Sequence, residues 1–202
     1  AFAAGDLDPR TIRVWVPAFG AAGRVLLLHD GQNVFDPNAF FGGWHADEAE
    51  GDLACVYKGK LERYTRSFLY MKPDILFLYD RVKSPAPHQF SWLFHAEHTG
   101  GKSSITGGGN SIDITRTRSS LHMDILSPEI RSSRVRNSDR EESFITLAGA
   151  PGTTSADFLA VLFPRATKDA PATPPTSSLI NASGWIGAKV EQGGTVTRAL
   201  FR

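Results

Sequence analysis

The sequence is poor in cysteine and in long apolar runs, and each shortage excludes a class of protein. Cys55 is the only cysteine among 202 residues, so no disulfide can form within the chain and no cysteine cluster can bind a metal. Because its neighbours Ala54 and Val56 are apolar, we predict that the thiol is buried and packs as a small hydrophobic side chain. No apolar run approaches the ~20 residues that a membrane-spanning helix requires, so we predict no membrane partner.

The sequence also lacks an excess of charge of either sign. The 22 lysines and arginines are balanced by 21 aspartates and glutamates, and a formal net charge of +1 predicts no attraction to nucleic acid. One local excess of arginine lies between residues 116 and 140, and its members are Arg116, Arg118, Arg131, Arg134, Arg136 and Arg140. An anionic polymer is one ligand for such a patch, but we favour a solvated loop and strand edge.

Short β-type segments are what the sequence has in quantity. Residues 64–71, 75–82 and 89–97 are rich in aromatic and β-branched side chains, and turn segments at 72–74, 83–87 and 100–101 follow them. In the third segment Phe90, Trp92 and Phe94 occupy alternate positions, which predicts a strand with one buried aromatic face. The same reasoning predicts strands at 112–115, 120–126, 131–136, 142–148, 157–163, 183–190 and 195–201. We therefore predict a mainly β fold, an antiparallel β-sandwich.

Other segments of this part of the chain lack the alternation of a half-buried strand. Residues 158–163 are almost continuously apolar, which predicts a central strand, and 192–194 should form the tip of a last hairpin. Residues 46–54 are acidic and form the only plausible helical turn. Residues 99–109 and 165–178 are rich in Gly, Ser or Pro, which predicts a loop or hairpin tip in the first segment and an exposed loop or linker in the second.

The first 49 residues follow another pattern. Residues 11–16 alternate as a strand does, and the apolar run at 24–28 is typical of a strand buried on both faces. The segments VLLLHDGQNVFD (25–36) and FGGWHADEA (41–49) resemble the N-terminal part of the esterase D-like α/β-hydrolases. The resemblance implies a short α/β-hydrolase-like strand–loop fragment in which Gly31 and Gln32 contribute backbone N–H groups to an oxyanion region.

No nucleophile elbow follows this fragment. An α/β-hydrolase requires a G-x-S-x-G segment later in the chain, and neither residues 107–111 nor 183–187 have that spacing. We therefore disfavour a serine esterase and expect a fragment (1–49) joined to a separate β-sandwich domain (50–202).

The segments that carry a second resemblance lie in this sandwich part. They are Y-x-G-K-L-x-R-x-x-R (57–66), KPD (72–74), YDRV (79–82) and HQFSWLFH (88–95). In this order they resemble the C-terminal β-sandwich of heparinase II/III-like and alginate-type polysaccharide lyases, over about residues 50–165. The resemblance implies an acidic polysaccharide as partner and a periplasmic or secreted location. The catalytic residues of those lyases come mostly from parts that precede the matched stretch, so none is carried over to this chain.

Local candidates for chemistry come from the residue types needed for β-elimination from a uronate: a base, an acid and a cation for the carboxylate. Tyr57 and His95 are the candidates for catalysis. The candidates for contact with substrate are Lys60, Arg63, Arg66 and Trp92. The interpretation that we favour for the arginines is that they pair with Glu62, Asp74 or Asp80 on the sheet surface. We interpret Asp80-Arg81 as a strand-end ion pair or a turn-stabilising group.

One short segment has residue types found in metal sites. His95 and His98, with Glu97 between them, have the residue types of a zinc site, but neighbouring side chains of a strand diverge. We favour a pair of histidines with ordinary hydrogen bonds and expect no cofactor, with zinc as the alternative.

The prediction is thus a non-catalytic β-sandwich module, related to polysaccharide lyases, that binds acidic polysaccharide. The alternatives are an active lyase, a carboxylesterase, and a fusion with no selected function. An exposed strand edge also predicts a homodimer.

Overall fold

A computed structural model of the chain describes residues 23–24, 46–57, 59–72, 74–96, 103–137, 143–169 and 174–202. These residues form fourteen β-strands and two 3₁₀ turns, Ala54–Tyr57 and Thr167–Asp169. The strands are β1 (Gly23–Arg24), β2 (Ala46–Asp52), β3 (Arg63–Met71), β4 (Ile75–His88), β5 (Ser91–Ala96), β6 (Ser104–Gly108), β7 (Ser111–Thr115), β8 (Ser119–Ser127), β9 (Ser132–Arg136), β10 (Ser143–Ala148), β11 (Thr153–Ala166), β12 (Thr176–Ala182), β13 (Trp185–Gln192) and β14 (Thr195–Phe201). No helix within these ranges is long and apolar enough to cross a membrane.

A seven-stranded antiparallel sheet, in the order β2-β3-β4-β11-β8-β7-β6, forms the middle of the molecule. Its central strand β11 contains the apolar run 158–163, as predicted, and every residue of that run is buried. Leu159, Val161 and Phe163 contact one hydrophobic core, whereas Phe158 and Ala160 contact another on the opposite face. The run is continuously apolar because both of its faces are covered.

Two smaller sheets cover the two faces of the central sheet. A three-stranded sheet, β5-β10-β9, contributes Trp92, Ile145 and Leu147 to one core. A four-stranded sheet, β1-β14-β13-β12, contributes Val190 and Phe201 to the other core. The predicted antiparallel β-sandwich is confirmed, and the structure has three layers. Within the described chain, only the two-residue β1 pairs in parallel, with β14.

Aromatic rings and polar groups join the layers. Tyr79 of β4 packs on Phe201 of β14 with ring centroids 4.9 Å apart, and Trp92 of β5 stacks on Phe158 of β11 at the same separation. Gln192 Nε2 donates a 2.9 Å hydrogen bond to Asp74 Oδ2, at the edge of the interface between the central and four-stranded sheets. The outer sheets are thus held by specific contacts as well as by apolar area.

Most of the predicted strands are present, but their ends differ, and one predicted turn is part of a strand. The turn predicted at 83–87 is strand, because β4 continues to His88. Its pairing with β3 ends at Lys83, and a register shift between Thr153 and Ser155 interrupts its pairing with β11. Proline is tolerated there because β4 has only one neighbouring strand at that point.

Three segments predicted as helix or loop contain strands. The acidic segment 46–54 contains β2, an edge strand paired residue by residue with β3 from Ala46↔Met71 to Asp52↔Thr65. The predicted loop 99–109 contains β6, and the predicted loop 165–178 contains the end of β11 and the start of β12. In each segment pairing with a neighbouring strand overrides a weak local preference.

The last hairpin is confirmed at residues 192–194. Gly193 and Gly194 have φ values of 54° and 79°, and positive φ at both central residues is what the favoured two-residue hairpin turn requires. A second such turn, at Ser183 and Gly184 with φ of 32° and 82°, joins β12 to β13.

The predictions for residues 1–45 fall largely outside the described residues. The strand at 11–16, the VLLL strand beyond Arg24 and the loop with Gly31 and Gln32 lie there, so the esterase resemblance stays a prediction. β2 runs across the expected boundary at Ala49, from Ala46 to Asp52.

Gly187 of β13 lies where β13 and β14 approach each other closely. A Cβ at Gly187 would lie 2.0 Å from the carbonyl oxygen of Ala199, a contact that only backbone movement can relieve. We expect Gly187→Ala to lower the free energy of unfolding by about 1–3 kcal/mol or more in denaturant titrations. Gly51→Ala is the matched control, since no atom lies within 4 Å of its added Cβ. Equal losses in the two variants would contradict the close approach.

Candidate functional site

A buried carboxylate lies at the centre of the region that the lyase-like segments encode. Asp80 of β4 has no exposed surface, although it interrupts an otherwise apolar stretch of the strand. Its side chain points to the same face as Leu78, towards the three-stranded sheet. An ionised carboxylate in such a position is stable only when charged and hydrogen-bonding partners surround it.

Three neighbouring side chains supply those partners. Arg66 lies directly opposite Asp80 on β3 and donates through Nε to Oδ1 at 2.8 Å and through Nη2 to Oδ2 at 2.6 Å. Trp92 Nε1 donates to Oδ2 at 2.6 Å, and the Tyr64 hydroxyl donates to the same oxygen at 3.3 Å. We call these four residues, Tyr64, Arg66, Asp80 and Trp92, the Asp80 network. Its two-point arginine–carboxylate contact is the strongest form of ion pair in proteins.

The protonation behaviour of the network follows from burial and charge. Burial first, and then the negative charge of Asp80, raises the pKa of Tyr64 to about 12. The hydrogen bond to Asp80 is the largest influence on Arg66 and raises the pKa of its guanidinium. Tyr64 is therefore a neutral hydrogen-bond donor at physiological pH, and Arg66 is a fixed cation.

An exposed rim lies next to the network. The 3₁₀ turn Ala54–Tyr57 places Tyr57 with 44% of its surface exposed, and its ring meets Tyr64 edge-on at 5.6 Å. Lys60 lies just before β3 and Arg63 is the first residue of β3, and both side chains are exposed. We call Tyr57, Lys60 and Arg63 the rim. A ring and two cations are groups that can contact an anionic sugar.

Cys55 corrects a prediction in this region. The thiol is exposed, not buried, because the turn Ala54–Tyr57 lies at the surface and its neighbour Val56 is 70% exposed. The apolar neighbours Ala54 and Val56 indicated a core position for Cys55. The turn, however, packs too little of its surface against β3 to bury any of its residues.

The residues predicted to contact substrate divide between the rim and the network. Lys60 and Arg63 are on the surface. Arg66 binds Asp80, as the favoured interpretation has it, but Asp80 is buried and not on the sheet surface. Trp92 is 4% exposed, with its ring stacked on Phe158. A ligand cannot reach the Trp92 ring without displacing the three-stranded sheet.

The two candidates for catalysis occupy different surroundings. Tyr57 contacts Tyr64, whereas His95 is on the outer face of the three-stranded sheet, with its ring 5.9 Å from that of Phe144. The predicted strand-end ion pair is also corrected, because Asp80 is internal and it is Arg81 that approaches an exposed carboxylate, Asp157, at 3.5 Å.

The zinc prediction stays untested, because His98 and Glu97 lie outside the described residues. In the part of the chain that the structure describes, no three His, Cys, Asp or Glu side chains converge as metal ligands do.

A second polar cluster brings a serine, a histidine and two aspartates together. His122 of β8 has Nδ1 2.8 Å from Asp113 Oδ1 and Nε2 3.3 Å from Asp124 Oδ1. Ser177 of β12 donates its hydroxyl hydrogen to Asp124, so the four-stranded sheet is tied to β8. Because the serine faces a carboxylate and not the imidazole, this cluster lacks the serine–histidine contact that activates a nucleophile.

Reasoning from sequence missed the part of Tyr64 in the network and the burial of Asp80. The available signal was an aspartate inside the apolar strand segment 75–80, at a position that shares its face with Leu78. A charged residue on a buried face requires a partner across the sheet, and Arg66 was the arginine in register.

The described residues thus define a class of protein: an antiparallel, three-layered β-sandwich with an internal ion-pair network. No protein-family model matches the sequence, and no curated protein matches it.

Solved structures of heparinases have a similar fold. A heparan sulfate lyase, HepC from Pedobacter heparinus, matches with a TM-score of 0.59 at 14% identity, over 81% of this chain and 27% of that chain. A structure described as heparinase III matches with a TM-score of 0.57 at 11% identity, over 79% of this chain and 26% of that chain. At this identity the likeness establishes the fold. The chain spans about a quarter of the length of these structures.

Loss of the Asp80 charge tests the network. Asp80→Asn leaves the Arg66 guanidinium without its counter-charge, and we expect the free energy of unfolding to fall by about 2–4 kcal/mol. Glu62→Gln is the control: its ion pair with Lys83 is largely exposed, so its loss should cost less than about 1 kcal/mol. Denaturant titration measures both, and a small loss at Asp80 would show that the network contributes little.

The ionisation of Tyr64 tests whether its hydroxyl is buried in the Asp80 network. Its pKa is raised above the ordinary 10.0 to about 12, so the folded state holds the phenolic proton more tightly than the unfolded state. The resulting stability is fully present below about pH 10 and is lost as pH rises towards 12. In an absorbance titration, subtracting the Tyr64→Phe curve from the wild-type curve should give a transition near pH 12. A difference transition near pH 10 would contradict the burial of the hydroxyl.

Proposed function

We propose that this chain is a non-catalytic β-sandwich module, related to polysaccharide lyases, that binds acidic polysaccharide. One observation carries the proposal: four polar side chains of the lyase-like segments are bound to one another inside the sandwich. Asp80, Arg66, Tyr64 and Trp92 use their polar groups within the network. Similarity of fold to heparinase III and heparan sulfate lyase supports the relation to polysaccharide lyases.

The same observation argues against catalysis within the described residues. β-Elimination requires a base that can take a proton near neutral pH and a cation that faces the substrate carboxylate. A Tyr64 hydroxyl with a pKa of about 12 holds its proton too tightly to serve as that base. Arg66 directs its guanidinium at Asp80, and both catalytic candidates, Tyr57 and His95, contact different parts of the molecule.

Binding is supported by the rim. Lys60 and Arg63 are exposed cations next to the exposed ring of Tyr57, and an anionic sugar needs both kinds of contact. Tyr64 and Arg66, one and three residues after Arg63 on β3, both donate hydrogen bonds to Asp80. The Asp80 network thus fixes the part of β3 from which Arg63 projects.

The proposal is tested by measuring binding and turnover on one set of uronate-containing polysaccharides: heparin, heparan sulfate, alginate and hyaluronan. We expect binding that weakens as salt rises, with no ultraviolet absorbance from an unsaturated product. Lys60→Ala/Arg63→Ala should weaken binding about 2- to 30-fold, since two exposed ion pairs contribute about 0.2–1 kcal/mol each.

Lys168→Ala/Arg198→Ala is the matched control, because it removes the same charge from exposed positions elsewhere and should leave affinity within about twofold. Unsaturated product that disappears in Tyr57→Phe or His95→Ala would identify an active lyase. Absence of binding to every polysaccharide would overturn the proposed function.

A further inference from the structure

The outward side of the three-stranded sheet carries two rows of side chains that no part of the Asp80 network uses. In strand order β5-β10-β9, one row is His95, Phe144 and Arg136, and the other is Leu93, Thr146 and Arg134. We call these six residues the outer face. Alternate positions on the same strands, including Trp92, Ile145 and Val135, pack into the core, so the two rows point away from it.

The outer face is exposed and carries positive charge. Leu93 is 53% exposed, and His95, Arg134 and Arg136 are also exposed. Two of the six residues are arginines and none is acidic, although acidic and basic residues are almost equal in number over the whole chain. These six side chains therefore carry a net positive charge on a protein of nearly neutral total charge.

An aromatic ring lies at the centre of one row. The Arg136 guanidinium carbon is 5.8 Å from the ring centroid of Phe144, and the His95 ring is 5.9 Å from the same ring on its other side. Cation and ring thus lie side by side on a pleated surface. Arg134 and Arg136 are two positions apart on β9, about 7 Å along the strand.

We infer that the outer face is a contact surface for a segment of a linear anionic polysaccharide, one whose sugars bear carboxylate or sulfate groups. The inference rests on the proposed function and gives that function a second contact surface, separate from the rim. The arginine guanidinium groups bind successive anionic groups, and the Phe144 ring and Leu93 side chain contact the apolar faces of the sugars.

The shape and charge of the surface favour this ligand over others. A pleated sheet face contacts an extended chain along its length, whereas a small molecule on such a face would leave most of its own surface in water. Nucleic acid is disfavoured because two arginines neutralise few phosphates, and the net charge of the chain is only +1.

Arg134→Ala/Arg136→Ala is the first test variant, measured by calorimetry with a size-defined heparin oligosaccharide. We expect affinity to fall about fivefold or more and the dependence of affinity on salt to become less steep. Arg118→Ala/Arg198→Ala removes the same charge from exposed positions off this face and should change affinity less than about twofold.

A second variant is needed because arginines on the edge strand β9 also discourage edge-to-edge association, so the double alanine variant could lose solubility. Thr146→Glu keeps both arginines and places a carboxylate between them and Leu93. We expect it to weaken binding at least as much as the double alanine variant, with an unchanged thermal unfolding transition. Backbone hydrogen exchange in β5, β9 and β10 should slow when the oligosaccharide binds the wild-type chain.

The outcomes separate the two proposals. If the wild-type chain binds the oligosaccharide and both outer-face variants bind it equally well, the inference is wrong and the proposed function stands. If the wild-type chain binds no acidic polysaccharide, both are wrong. If a single-stranded oligonucleotide of equal charge binds as tightly and loses affinity in the same variants, the surface recognises polyanions in general and the assignment to polysaccharide fails.

Discussion

The ion pair between Asp80 and Arg66 is the constraint on which the arrangement of three strands depends. A buried carboxylate without partners would cost several kcal/mol, so β3 must place Arg66 directly opposite it and β5 must bring the Trp92 indole to the same oxygen. A shift of β3 by one residue would turn Arg66 to the opposite face and leave the charge unpaired. The network therefore sets the register of β3 on β4 and holds the three-stranded sheet over the central one.

This constraint has a consequence for function. The side chains whose chemistry suggested contact with a substrate, Arg66 and Trp92, are occupied inside the sandwich, and Tyr64 keeps its proton through burial. Groups that hold a fold together in this way are poorly placed to exchange protons with a ligand. In the proposed function, contacts with a polyanion fall to exposed residues on the rim and the outer face, whose removal should not unfold the chain.

The sequence predicted elements well where one physical signal dominated. Aromatic and β-branched content predicted β3, alternation predicted β5, and the continuous apolar run predicted the central β11. The last two patterns reflect coverage of one face or both. Prediction failed where local preference was weak: the acidic β2 and the polar β12 become strands by pairing with a neighbour, and Cys55 is exposed because a short turn buries little. For the site, the types of residue were recognisable, and the pairing of Arg66 with Asp80 was among the interpretations favoured.

What the sequence by itself determined is the class of fold and the chemical character of its parts: short strands, aromatic faces, a balanced total charge and a local excess of arginine. Only the tertiary structure decided which charges are buried and which are exposed. The reason is that strand registers bring together residues distant in sequence, such as Asp80 with Trp92 and Arg136 with Phe144 and His95. Alternation along one strand assigns a side chain to a face, but the layer packed against that face decides whether it meets the core or water.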